Sequence, residues 1–408
     1  MKKEKLIGLL IANALVLSAC GMFPDPVDPN QPEVEELEQV EQSGQDNDVE
    51  DEASTVEAQF DSGYYRPVIN EDGTYSVSQS RGLTRGLNSN ISLETFEEDL
   101  MRHSQRFFPT EDHFFQEGQF IPADTINSWL SRQEPEEEEP EESEEETEET
   151  EETSEETEET VDLGLNPEEN EFDSIQDRNP MYLSSVLEHN FYVQSEDGLE
   201  LSGISIGLAL NSVDYFDGGN SEQVIDRDTL LEEGQRMADE IMPQLREIEG
   251  LEDVPIVIGL YEHSRRDSLA PGTFIALSVS ENGSTSVNNW QAINEQRIVF
   301  PLEGMQSAEG NSFANFRSEI ENFFPNVSGI TGIAHYVEEQ LMHLEISIMT
   351  QFYGKGEIIA FTQYINETAT SFLPDTVPVE IKLESLNGME SFLYREAEQE
   401  NYEVYIFN

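Results

Sequence analysis

Residues 181–210 read MYLSSVLEHNFYVQSEDGLELSGISIGLAL. Two runs rich in β-branched, aromatic and aliphatic side chains, 181–194 and 199–210, flank Glu196-Asp197-Gly198. A short polar turn ending in glycine between two such runs is a hairpin signal. The period then changes. Over 228–248, Leu231, Ala238, Ile241, Leu245 and Ile248 fall on one helical face, and Thr229 with Glu232 has capping-box spacing. Strand-like runs follow at 254–261 and 272–280. Hairpins mixed with helices argue for an α+β fold with mixed or antiparallel sheets and packed helices, rather than a parallel βαβ sheet.

The same grammar extends in both directions. Ile91-Ser92-Leu93-Glu94-Thr95-Phe96 predicts a helix start, with Ser92 as N-cap and Ile91 against Phe96 as a hydrophobic staple. Phe96, Leu100, Ser104 and Phe107 share a face, and Pro109 stops it. Residues 113–121 read as a strand and 124–131 as a short helix. Further on, 315–323 is helical, 330–337 and 341–351 form a second hairpin around Glu338-Glu339-Gln340, 357–370 is a helix, and 377–386, 389–395 and 402–407 are strands.

The 408 residues carry 87 acids against 20 bases, a formal charge of −67. That excludes a nucleic-acid footprint and docking on anionic lipid by surface charge. Residues 134–160 hold 18 Glu in 27 positions and read as an extended, solvated acidic insert. Residues 181–408 alone have 38 acids and 10 bases, and beyond the N-terminal leader only Lys355 and Lys382 are lysines. Salt screens such repulsion, so the composition predicts a salt-tolerant surface. A single cysteine permits neither an intrachain disulfide nor a cysteine-rich zinc site.

That cysteine closes the leader MKKEKLIGLLIANALVLSAC. Lys2, Lys3 and Lys5 precede an apolar stretch at 6–17, then Ser18, Ala19 and Cys20, which is the order of a secretory signal peptide spanning 1–19. Leu17-Ser18-Ala19-Cys20 resembles the bacterial lipobox. The resemblance implies that signal peptidase II cuts between Ala19 and Cys20, that lipid-transfer enzymes acylate Cys20, and that the membrane is the partner. Each buried methylene contributes about 0.8 kcal/mol, so two or three acyl chains hold a protein stably on the outer face of the cell membrane. Residues 20–62, rich in Pro, Glu, Asp and Gln, read as a disordered acidic tether.

Catalytic signatures are absent. None of the six histidines stands in H-E-x-x-H, no G-x-S-x-G elbow occurs, and among 87 acids no carboxylate pair stands out. The expectation is a non-enzyme with no catalytic, cofactor-binding or metal residues. His335 and His343 bracket the second hairpin and read as strand histidines rather than as metal ligands. Gly354-Lys355-Gly356 reads as turn chemistry rather than as a phosphate loop. Tyr64-Tyr65-Arg66 with Arg81 and Arg85 is an unusual basic and aromatic cluster. Tyr65, Arg66 and Arg81 are therefore the candidate site for an anionic or sugar-like ligand. The competing reading has the arginines paired with acids and the tyrosines packed.

Tyr64-Tyr65-Arg66-Pro67, Ser80-Arg81-Gly82, Leu100-Met101-Arg102 and Phe115-Gln116-Glu117-Gly118-Gln119 follow the leader. Ser128-Trp129-Leu130, Gly164-Leu165-Asn166-Pro167, Asn179-Pro180-Met181-Tyr182-Leu183 and Gly207-Leu208-Ala209-Leu210-Asn211-Ser212-Val213 come next. This ordered set resembles the CamS family, the precursors of the sex pheromone cAM373 and related lipoproteins of Gram-positive bacteria. The resemblance implies two related α+β repeats, placed at 63–200 (containing the 134–160 insert) and 201–408. It also implies that the signal comes from the leader. Residues 13–19, from Asn13 to Ala19, would be released as a small apolar peptide that induces conjugation in neighbours. An alternative is a cell-surface binding module for a peptide, sugar or wall-polymer ligand.

Overall fold

In the computed structural model the described residues are 54–55, 63–70, 72–89, 91–134, 164–196, 198–302, 307–324, 326–352 and 354–407. The leader, most of the tether and the Glu-rich insert, all expected from sequence, lie outside them. The first sheet and its helices comprise β1 (Ser54–Thr55), β2 (Arg66–Ile69), α1 (Ile91–Ser104), β3 (His113–Glu117), α2 (Ala123–Trp129), β4 (Leu183–Ser195) and β5 (Gly198–Asn211). A small hairpin of β6 (Val213–Phe216) and β7 (Ser221–Val224) stands apart from the sheet, and α3 (Arg227–Glu247), β8 (Ile256–His263), β9 (Thr273–Ser280) and β10 (Gln291–Ala292) follow. The second unit runs β11 (Glu295–Phe300), α4 (Ala308–Phe323), β12 (Val327–Val337), β13 (Gln340–Thr350), α5 (Lys355–Phe372), β14 (Val379–Ser385), β15 (Gly388–Arg395) and β16 (Glu403–Ile406).

The predicted hairpin is the backbone of the first sheet, with β4 and β5 paired antiparallel from Leu183↔Leu210 to Ser195↔Gly198. The sheet order is β1-β2-β3-β4-β5-β8-β9-β10, and the second is β11-β12-β13-β14-β15-β16. From β3 onward the first unit runs strand, helix, hairpin, helix, hairpin, edge strand. From β11 the second does the same. In each repeated part the one parallel pair joins the two hairpins, β5 with β8 and β13 with β14. The fold is α+β. The boundary expected at 200/201 needs correction, because it cuts the β4–β5 ladder at Glu200↔Val193. The sheets change over instead at Ile293-Asn294, between β10 and β11.

Side-chain size on β5 decides which helix lies on which face. Ile204, Ile206, Leu208 and Leu210 point into the core with α3. The opposite face is small, with Gly203, Ser205, Gly207 and Ala209. A Cβ on Gly207 would lie 2.6 Å from the Phe96 ring, so α1 packs there at close range. Phe96 and Leu100 of α1 are 2% and 0% exposed on that face, each worth about 1.5–3 kcal/mol of burial. The second sheet buries one face under α4 and α5, with Phe313, Phe316, Phe361 and Ile365 in its core.

Several local expectations shift. Ser92 is not an N-cap: it sits within α1, and its Oγ accepts from Gly272 N at 3.1 Å. The cap of α3 is Asp226, whose carboxylate takes both N–H and O–H of Thr229, in place of the Thr229–Glu232 box. The α3 stripe is rotated, with Leu230, Gly234 and Met237 buried ahead of Ala238. α4 starts at Ala308, capped by Ser307, well before residue 315. Strands β1, β2, β6, β7, β10 and β11 were not expected, β1 lying inside the segment read as a disordered tether; all are short.

Candidate functional site

The two sheets are joined by a buried ionic cluster. Glu295, the first residue of β11, is fully buried. Arg102 of α1 donates to its two oxygens at 3.1 and 2.9 Å. His103 and His335, the latter on β12, each place Nε2 at 3.3 Å from it. Asp99 of α1 accepts from Arg102 at 2.9 Å and from Arg297 of β11 at 2.7 Å. Arg297 also donates to Gly272 O at 2.5 Å. Burial works to raise the Glu295 carboxyl. The bonds from His103, His335 and Arg102, with the Arg102 charge, outweigh that and hold it well below the usual carboxylate range. Burial pushes His103 below its usual value despite Glu295. A carboxylate so saturated and so acidic is no general base near neutrality. The cluster is a clasp.

Beside it opens a cleft of about 400 Å³ between the end of β8, the start of β9 and β11. Arg227 and Arg265 reach into it half-exposed, Arg227 paired to Glu262 at 2.7 Å and Arg265 to Glu222 at 3.0 Å. His263 on its floor is fully buried, and neither ring nitrogen has a hydrogen-bond partner among the described residues. Burial lowers its pKa to about 4, so the ring is neutral. Ser212 Oγ, on the same wall, is also without a partner. A second cavity of about 340 Å³ shares Gln296 and Ile298 with it and is lined also by Tyr336, Ser307 and Glu309.

The residues singled out from sequence do not converge on one pocket. Tyr65 is core: it packs on Phe115 and Phe191, and its hydroxyl donates to Phe108 O at 2.5 Å. Arg66 lies over the Phe114 ring at 4.1 Å and donates to Glu111 O. Arg81 pairs with Glu117 at 2.8 Å and Glu97 at 3.3 Å, on the rim of a separate cavity of about 190 Å³ with Phe96 and Leu187 in its wall. His335 and His343 are register partners, yet each turns to a different carboxylate, Glu295 and Glu380. Lys355 donates to Phe407 O. Among the described residues no group of three or more His, Cys, Asp or Glu is placed to hold a metal ion. Ala19 and Cys20 lie outside the described residues.

The motifs that carry the family resemblance instead meet one another. Arg81 of Ser80-Arg81-Gly82 pairs with Glu117 of Phe115-Gln116-Glu117-Gly118-Gln119. Gly118 is forced by close approach, since a Cβ there would lie 2.4 Å from the Glu188 Cβ. Buried Glu188 in turn accepts the N–H groups of Gln119, Phe120 and Ile121 at 2.9–3.0 Å. Asn166, fully buried, donates to Leu130 O and Leu183 O and accepts from Leu183 N. Asn211 donates to Gly86 O and Met181 O. Arg102 completes the clasp.

An α+β domain built from two sheets of like connectivity, held by these motif-to-motif contacts, defines a class, and comparison supplies its name. The family model described as "CamS sex pheromone cAM373 precursor" matches residues 75–401. The chain belongs to the CamS family. It is similar to the crystal structure of a sex pheromone precursor from Lactobacillus salivarius subsp. salivarius UCC118, with 32% identity, 87% of this chain and 99% of that chain covered, and a TM-score of 0.74. It is also similar to the C-terminal domain of the sex pheromone staph-cAM373 precursor from Staphylococcus aureus, with 27% identity, 80% and 99% covered, and a TM-score of 0.63. A search of curated proteins finds no match. Among the described residues no helix is long and apolar enough to cross a membrane.

Proposed function

We propose that the chain is a non-enzymatic surface lipoprotein of the CamS type, held on the outer face of the membrane by lipid on Cys20, and that its leader yields residues 13–19 as a conjugation-inducing peptide. Membership of a pheromone-precursor family, which is secreted or surface-associated, supports this reading. The observation that carries it is that the only cysteine of the chain directly follows Leu17-Ser18-Ala19. A diacylglyceryl group on the Cys20 thiol, cleavage before Cys20 by signal peptidase II that frees the leader, and acylation of the amino group so exposed form one maturation sequence. Further trimming leaves Asn13-Ala14-Leu15-Val16-Leu17-Ser18-Ala19, a peptide with no charged side chain that leaves a membrane readily.

Mass spectrometry of native protein tests the anchor: a mature chain starting at Cys20 with a diacylglyceryl thioether is expected. A free thiol or an intact leader overturns it. Synthetic 13–19 peptide applied at nanomolar dose to plasmid-bearing recipients tests the signal: clumping and transfer are expected, and their absence overturns that part alone.

A further inference from the structure

β11 is the edge strand of the second sheet. Glu338 N donates to Asn294 O, which makes that residue pair a hydrogen-bonded one. Antiparallel ladders alternate, so Gln296, Ile298 and Phe300 direct their main-chain groups at β12, and Glu295, Arg297 and Val299 direct theirs outward. The chain of β9 covers the first part of this edge. Gln291 and Ala292 pair with Leu277 and Ala276, Ile293 N donates to Ile275 O, and Thr273 Oγ1 reaches Glu295 O at 3.5 Å. β9 begins at Thr273, and Pro271-Gly272 leads away. Among the described residues no strand pairs with the edge at Arg297 and Val299. The 400 Å³ cleft is lined by Glu295 to Ile298 of this edge together with Pro271-Gly272-Thr273, and the 340 Å³ cavity shares Gln296 and Ile298 with it.

We propose that an extended peptide segment of a partner molecule docks in this cleft, adding a short strand to β11 through the main chain of Arg297 and Val299. Adjacent residues of a strand point to opposite faces, so neighbouring side chains of the guest enter the two cavities. Their charges select the guest. One cavity has three arginines in its lining, Arg227, Arg265 and Arg297, against two glutamates, Glu262 and Glu295, with Arg227 and Arg265 half-exposed beside their partners Glu262 and Glu222; Glu309 and Glu339 line the other. The guest therefore carries an acidic residue next to a basic one. A second copy of this chain is disfavoured by its charge of −67, and the Glu-rich insert of the chain itself offers no base. Main-chain bonds supply affinity at such edges and the side-chain cavities supply selectivity. This role is independent of the fate of the leader.

The test is titration calorimetry of the full chain in detergent with the acetylated, amidated peptide Thr-Val-Glu-Lys-Val-Thr. The controls are the same peptide with its main-chain nitrogens methylated and one with Gln-Gln in place of Glu-Lys. Saturable binding with Kd below about 1 mM is expected, weakened at least about tenfold by either control. Val299→Pro removes an outward N–H at an edge position where proline is tolerated, and is expected to weaken binding about as much as methylation does. If that variant does not fold, Arg227→Glu with Arg265→Glu serves, and the Glu-Lys peptide is expected to lose its advantage over Gln-Gln. No saturation of the parent peptide, or equal binding of the methylated one, overturns the proposal.

Discussion

Arg102 on α1 and Glu295 on β11 meet in a two-pronged ion pair, 3.1 and 2.9 Å, across the junction of the two sheets. Glu295 is wholly buried, so removing its charge strands Arg102 and its neighbours, whereas the intact pair is offset by its own desolvation. Glu295→Gln is expected to lower unfolding free energy by about 3–5 kcal/mol in urea denaturation. A loss below about 1 kcal/mol would mean that the clasp does not hold the sheets together.

His189 and His263 are buried with both ring nitrogens unpartnered among the described residues, and burial lowers their pKa values to about 3 and about 4. Both are neutral in the fold, and the unfolded chain takes up their protons near pH 6.5. Their stabilisation is complete above that value and is lost as pH falls toward the folded values, at about 1.4 kcal/mol per pH unit for each. Between pH 6 and 4 stability is therefore expected to fall. His189→Leu, which places an apolar group beside Phe115, is expected to flatten the slope by about one proton. An unchanged slope would show that this ring titrates normally.

Gly118 faces Glu188, and a Cβ at 2.4 Å cannot be accommodated without moving the β3 exit loop. Gly118→Ala is expected to cost about 2–3 kcal/mol through overpacking. The measurement is thermal unfolding, and a melting point equal to that of the parent would refute the steric account.

How much of this was legible in the sequence depended on how the burial was encoded. The β4–β5 and β12–β13 hairpins were readable because long runs of β-branched and aliphatic residues fix their period, and α5 because its apolar face recurs. β11 was not, because EQRIVF begins with residues that read as solvent-exposed. Its burial comes from Arg102, some two hundred positions away, and one acid among 87 carries no mark of that. The start of α4 was obscured by polar AEGNS, although Ser307 three residues before Gly310 was an available cap signal. Arg81 was rightly unusual, but its partner Glu117 was visible only as part of a family pattern. Tyr65 misled because an aromatic beside an arginine looks the same in sequence whether it lines a pocket or fills a core.

The ends that flank residues 135–163 are fastened to each other. Arg132 and Asn166 form a parallel bridge, Gln133 N donates to Asn166 O at 2.8 Å, and Asn166 N donates to Ser131 O. Gly164 allows this approach, since a Cβ there would lie 2.3 Å from Arg132 O. Because the described flanks are held to each other, replacing 135–163 by a Gly-Ser link is expected to leave the domain intact. Its removal deletes 18 acids from a chain of net charge −67. Repulsion between like charges is stronger in the compact state and is screened within about 10 Å at 0.1 M salt. The full chain is therefore expected to melt higher as salt is added. The shortened chain is expected to melt within about 2 °C of it at high salt, with a weaker salt dependence. A melting point that drops sharply on deletion at high salt would show that the insert supports the fold, and a parallel salt series would place the repulsion in the domain itself.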